Sequence, residues 1–146
     1  MNSEHPMTKE AFIKRFVDLC VRSGLTGIPK DEADQHVLFK SMLLTIGPAG
    51  TYTELDINEK LEYWINRISQ IKKLDRNSLR RYLVDAGYLT RAKDGSAYLV
   101  AQSGPAVEFF EESINQLNLP EVIKTAQEDI ARRKREYLEK SGKGSI

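Results

Sequence analysis

Residues 79–100, LRRYLVDAGYLTRAKDGSAYLV, hold the transition on which the reading of the fold depends. Leu79, Tyr82, Leu83 and Ala86 recur at helical spacing and give a short helix an apolar stripe, which Gly87 ends because glycine takes the left-handed exit without Cβ strain. Leu89–Arg91 and Ala97–Val100 then read as short strands around Asp94-Gly95, a dipeptide suited to the positive backbone angles of a two-residue hairpin turn. A helix with adjacent arginines, Arg80 and Arg81, therefore runs directly into a hairpin.

Upstream, KKLDRNS supplies a turn and an N-cap at either Asp75 or Ser78. Thr53 followed by Asp56 resembles a capping box with Asp in place of Glu, and Ile57, Leu61, Trp64, Ile65 and Ile68 form a wide apolar stripe behind it. An earlier helix over about Glu32–Ile46 shows Val37, Leu38, Met42 and Thr45 on its apolar side before Gly47-Pro48 stops it. The first helix starts at a Thr8 cap, carries Phe12, Phe16, Leu19 and Cys20 at helical spacing, and ends near Gly24. Downstream of Ser103-Gly104-Pro105, Val107, Phe110, Ile114 and Leu117 mark one helical segment, and Ile123, Ala126, Ile130 and Tyr137 another after Pro120.

The fold class expected from this pattern is mainly α with a small β-hairpin: a winged helix-turn-helix core with an N-terminal helix and a C-terminal helical extension. Three helices followed by a hairpin is the order of such a core, in which the helix before the hairpin can enter a major groove. The chain has 146 residues, 40% hydrophobic and 29% charged, enough for one core. The expected organisation is an N-terminal helix over 1–23 packing on the core, a winged-helix-like domain over 24–103, a helical extension over 104–140, and a disordered tail, SGKGSI, over 141–146. Cys20 is the single cysteine, so no internal disulfide forms, and the start MNSEHPMTKE lacks the basic-then-apolar pattern of a signal peptide. No apolar run approaches the roughly 18 residues of a membrane span. A soluble protein of the reducing cytoplasm, without membrane contact, is expected.

The same residues carry a family resemblance. LRRYLVDAGYLTR (Leu79–Arg91), DGSAY (Asp94–Tyr98), TYTELDIN (Thr51–Asn58) and GLTGIP (Gly24–Pro29) resemble the bacterial domain of unknown function 2087, over about residues 24–100. That family occurs alone and fused to transcriptional activators and has no agreed biochemical activity, so the resemblance implies a winged-helix-like fold and a regulatory neighbourhood. The interval from Asn58 to Leu79 is longer than the family pattern, which predicts an extended third helix or following turn.

Net charge is +1 and unevenly spread: residues 1–69 hold 8 basic and 10 acidic residues, 70–94 hold 7 and 3, and 95–146 hold 7 and 8. The local excess is the sign expected for phosphate contact. With Leu79 and Leu83 inward, helical rotation turns Asn77, Arg81 and Val84 outward and leaves Arg80 and Asp85 on the flanks. Arginine can present two donors to guanine, asparagine can bond adenine, and either can hold phosphate. The DNA-binding candidates are therefore Arg76, Asn77, Arg80, Arg81, Arg91 and Lys93. Against this stand an Arg81–Asp85 pair along the helix, a structural Arg80 bonding a neighbouring helix's C-terminal carbonyls, and the acidic Glu54, Asp56, Glu59 and Glu62 of the preceding helix.

Other chemistries lack their signatures. Trp64, Tyr82 and Tyr98 are expected in the core rather than as a base-stacking platform. His5, His36 and Cys20 have no zinc-ligand spacing, GLTG and GPAG lack the Lys-Ser/Thr of a phosphate loop, and the adjacent pairs Glu111-Glu112 and Glu128-Asp129 do not face each other on a helix. No catalytic residue, metal or cofactor is expected. The run Arg132-Arg133-Lys134-Arg135 is surrounded by Glu128, Asp129, Glu136 and Glu139 at ion-pair spacings, and the helices carrying it form a plausible dimerisation arm. The expected function is a DNA-binding or transcription-associated regulator, a homodimer through its C-terminal helices. The alternative is a winged-helix protein-interaction module without nucleic-acid binding.

Overall fold

The computed structural model describes residues 5–144. Helix α1, Lys9–Val17, begins where the Thr8 hydroxyl accepts from the Ala11 N–H at 3.1 Å and continues into a π-helical turn over Asp18–Arg22. Asp31 caps α2, Glu32–Ile46, through the Asp34 N–H at 2.9 Å. The expected one-sided stripe on α2 is replaced by burial on every side from His36 to Leu43, because α1, α3 and α5 pack around it. A helix that is apolar all round is a core helix.

Strand β1, Thr51–Tyr52, leads into α3, Glu54–Tyr63, through the predicted capping box: the Thr53 hydroxyl accepts from the Asp56 N–H at 3.0 Å while the Asp56 carboxylate accepts from the Thr53 N–H at 3.1 Å. A π-helical turn over Trp64–Ile68 continues this helix. Asp75, not Ser78, caps α4, Arg76–Asp85, accepting the Ser78 N–H at 3.0 Å and its hydroxyl at 2.7 Å.

Strands β2, Leu89–Arg91, and β3, Tyr98–Val100, pair antiparallel with Arg91 opposite Tyr98. The connection therefore spans 92–97 rather than two residues: Gly95 donates to the Ala92 carbonyl, and the Asp94 carboxylate takes both the N–H and hydroxyl of Ser96. The chain thus reverses through a four-residue turn closed between Ala92 and Gly95, with an Asx turn at Asp94 overlapping it. Strand β1 lies beside β3, giving the order β1-β3-β2. In the sequence α2-β1-α3-α4-β2-β3 the first strand lies beside the last, and the chain is mainly helical with this small three-stranded sheet.

The segment expected to form one helix through Val107–Leu117 is broken into α5, Pro105–Glu108, and a 3-10 turn over Glu112–Gln116. Between them the Met7 N–H donates to the Phe109 carbonyl at 2.8 Å and the Met7 carbonyl accepts from Glu111 at 2.9 Å, so this backbone is spent on the N-terminal segment. Asn118 caps α6, Leu119–Gly144, with Pro120 in the first turn where its missing N–H costs nothing. The helix runs through 141–144, the start of the segment expected to be disordered. Residues 145–146 of that tail lie outside the described residues. Among the described residues, no helix is long and apolar enough to cross a membrane.

One core unites these elements. Phe12 and Phe16 of α1, Ile57 and Leu61 of α3, and Leu79 and Leu83 of α4 are all fully buried in a single cluster. Truncating Leu83 to alanine removes methyl groups from the centre of that cluster, where surrounding atoms can refill the space only in part. Leu83→Ala is expected to lower unfolding free energy by roughly 2–5 kcal/mol. Denaturant unfolding of the two proteins measures the loss, and an unchanged midpoint would place the α4 face the other way round.

Candidate nucleic-acid interface

Helix α4 presents its outer face beside the β2–β3 hairpin. Asn77 and Arg81 are exposed, as the helical phase predicts, whereas Val84 is half-buried against the core. Tyr82 departs from the expected core stripe: it is 45% exposed and lies with its ring against Phe39, 6.5 Å between centroids. Tyrosine at such an edge buries one ring face and keeps its hydroxyl in water. Trp64 and Tyr98 are buried as expected.

The adjacent arginines have different roles. The Arg80 guanidinium donates to the Asn58 carboxamide oxygen, lies 3.5 Å from the Glu54 carboxylate and 6.0 Å from the centre of the Tyr98 ring, and also reaches Asn77 at 3.3 Å. It therefore joins α4 to side chains in the first half of α3 and to β3, not to the C-terminal carbonyls anticipated for a structural arginine. Arg76 approaches Glu62 at 3.9 Å. Two of the expected phosphate contacts are thus held by carboxylates of α3.

Arg81, Arg91 and Lys93 make no ion pair among the described residues, and the anticipated Arg81–Asp85 pair is not formed. A cleft of about 310 Å³ between α4 and the hairpin is lined by Asn77, Arg80 and Arg81 of α4 and Arg91 of β2, and includes Glu54 and Asp85. Lys93 stands outside the cleft on the exposed hairpin connection. The arrangement offers fixed, planar donors to an anion or a base edge, with two carboxylates limiting how much negative charge can approach.

His36 Nδ1 is 2.7 Å from the Tyr88 hydroxyl, and its ring meets Phe109 edge-on; burial lowers its proton affinity. Burial pushes the Cys20 thiol up to about 12, which suppresses the thiolate that nucleophilic chemistry needs. Among the described residues no group of three or more His, Cys, Asp or Glu side chains could hold a metal.

Lys40 went unrecognised in the sequence. Its ammonium is buried, donates to the Ala106 carbonyl at 2.9 Å, and sits 5.6 Å from the centre of the Phe110 ring. The available signal was its place inside the run VLFKSMLL, where no helix face remains polar.

A family model described as an uncharacterized protein conserved in bacteria (DUF2087) matches residues 24–100. The chain belongs to this family. No curated protein and no solved structure matches it. The matched segment contains α2, α3, α4, the sheet and therefore the whole α4–hairpin cleft, so the cleft is part of the DUF2087 domain itself. Helices α1 and α6 lie outside the match, although Phe12, Phe16 and Ile123 complete the domain's core.

Burial holds the Lys40 ammonium down to about 8 from an ordinary 10.5. Between those values the unfolded chain binds a proton that the folded chain does not, so this site's destabilising effect is fully present below pH 8 and fades as pH rises toward 10.5. Relative to Lys40→Met, the wild type is expected to gain stability across that window. Denaturant melts of both proteins through the window check it; a constant difference between them would show that Lys40 titrates normally.

Proposed function

We propose that the DUF2087 domain of this chain binds double-stranded DNA through α4 and the adjacent hairpin, as a non-catalytic, transcription-associated regulator of the cytoplasm that works as a homodimer through its C-terminal helices. The observation that carries this reading is the exposure of Asn77 and Arg81 on α4 beside Arg91 and Lys93 of the hairpin, with no ion pair to these three cations among the described residues. Asn77 and Arg81 take the base-edge or groove positions, and Arg91 and Lys93 the phosphates. Arg76 and Arg80 serve the fold, since Glu62 and Glu54 already meet them.

A second reading, a protein-interaction surface without nucleic-acid binding, is favoured by one feature. Glu54 and Asp85 share the cleft with the arginines, and a surface of mixed sign suits a protein with complementary charges better than a polyanion.

Salt dependence separates the two. With Arg81 also on a phosphate, the three available cations contribute about −3 per bound chain to the slope of log affinity against log salt, twice that for the dimer, and less than if all five candidate basic residues engaged phosphate. Arg81→Ala should leave the thermal melt unchanged, because its side chain is outside the core. It should weaken binding by roughly 1–3 kcal/mol with relaxed discrimination if Arg81 reads a base, or weaken all sequences alike and reduce the slope by about one if it holds a phosphate. Titration of genomic fragments at two salt concentrations supplies the measurement. Absence of salt-sensitive binding by the wild type, or unchanged binding by the variant, gives the protein-interaction reading first place.

A further inference from the structure

Helix α6 does not end where its support ends. Leu119 and Ile123 are buried against the body and Ile130 is half-buried, but every residue from 131 to 141 is exposed. The supported stripe of Leu119, Ile123 and Ile130 continues in phase to Tyr137, which is 71% exposed beside Leu138 at 57%. The overhang, residues 131–144, is about 21 Å long. An isolated helix of that length is marginal in water, and this one exposes its apolar residues at mid-length.

A groove of about 770 Å³ lies where α6 crosses α1. Ile13, Val17, Leu117, Val122 and Ala126 make its apolar floor, all half-buried; Glu121 and Glu128 line its proximal part, and Arg132 and Arg135 its distal end. The two halves of α6 differ in charge. Residues 119–129 contain Glu121, Glu128 and Asp129 against Lys124, net −2, whereas residues 130–141 contain five basic and two acidic residues, net +3. Asp129 is met by Arg132 and Arg133 of its own helix, but Glu121, Glu128, Lys134, Arg135 and Lys140 make no ion pair among the described residues.

We propose that two copies of the chain exchange these overhangs: the distal half of each α6, led by Tyr137 and Leu138, lies antiparallel in the α1–α6 groove of the other copy. A two-fold axis makes both contacts identical, so one patch on the chain serves as groove and arm at once. Antiparallel alignment sets the basic distal half of one helix over the acidic proximal half of its partner, and does so twice. Parallel alignment would lay like charge on like charge. The occupant of the groove is therefore a second copy, whose own sequence supplies the complementary sign, the apolar lead residues and the length. This arrangement rests on the homodimer reading above and specifies its geometry; it is independent of whether α4 binds DNA.

Sedimentation of the full chain tests it with two charge-reversed forms, Glu121→Lys with Glu128→Lys, and Lys134→Glu with Lys140→Glu. All four positions are exposed on α6, and thermal melts verify that the domain stays folded. The wild type is expected to dimerise, and each variant alone to do so at least about tenfold more weakly, because the groove and arm of each then share a sign. An equimolar mixture of the two variants should recover the dimer, since each groove again meets an arm of opposite charge. A wild type that stays monomeric at high concentration overturns the proposal together with the homodimer reading. A wild-type dimer that both variants retain overturns the exchange alone and places the interface elsewhere. If both variants lose the dimer and the mixture fails to restore it, the charges act within one chain and the antiparallel exchange is wrong.

Discussion

Complete burial of the middle of α2 is the constraint on which the other elements depend. A helix covered on all sides must satisfy its own polar side chains internally, and three of them do so by reaching different parts of the chain. The Ser41 hydroxyl donates to the Leu38 carbonyl and accepts the Trp64 indole N–H at 2.9 Å, tying α2 to the end of α3. Lys40 holds α5 through Ala106, and His36 holds Tyr88 at the entrance to β2. Leaving such a group without its partner costs about 1–3 kcal/mol, so a shift in the packing of any neighbour carries a direct penalty. Among the described residues, no buried side-chain nitrogen or oxygen lacks a partner. Hydrophobic burial collects the helices around α2, and these three polar links fix how they sit.

Arg80 plays the corresponding part at the surface. Its contacts to Asn58 and Glu54 and its approach to the Tyr98 ring fasten α4 to α3 and to the sheet, so the hairpin and helix are held in a fixed relation. The next residue in sequence is turned by about 100° and reaches none of these partners. One step of helix thus separates an arginine that builds the domain from an exposed arginine with no ion pair among the described residues. The charge of the face is consequently smaller than a count of its basic residues suggests.

Local signals in the sequence carried much of this fold. Thr8, Asp31, Thr53 with Asp56, and Asp75 act within one turn of themselves, and each caps the helix that follows it. What periodicity missed depends on distant backbone. Strand β1 has two residues and exists because β3 pairs with it; the break after α5 exists because Met7 bonds Phe109 and Glu111. Tyr82 satisfied the apolar stripe by position, but the stripe runs out at the edge of α2, where only Phe39 remains to cover it. The same locality governs the site. Helical phase was enough to turn Asn77 and Arg81 outward, whereas the commitment of Arg76 and Arg80 required knowing which face α3 presents to α4.

Few available cations and an overhanging α6 bear on one another. Under the proposed DNA binding, the two or three phosphate contacts of one domain would supply little affinity at physiological salt, where nonspecific binding is itself weak. Two domains joined rigidly along a two-fold axis double the contacts, and the second engages at the high effective concentration set by the first. Weak individual faces then become an asset for selectivity, because only DNA with two sites at the spacing of the paired α4 helices satisfies both. The dimer proposed from α6 would in this way supply the affinity that the carboxylates of α3 withhold from α4.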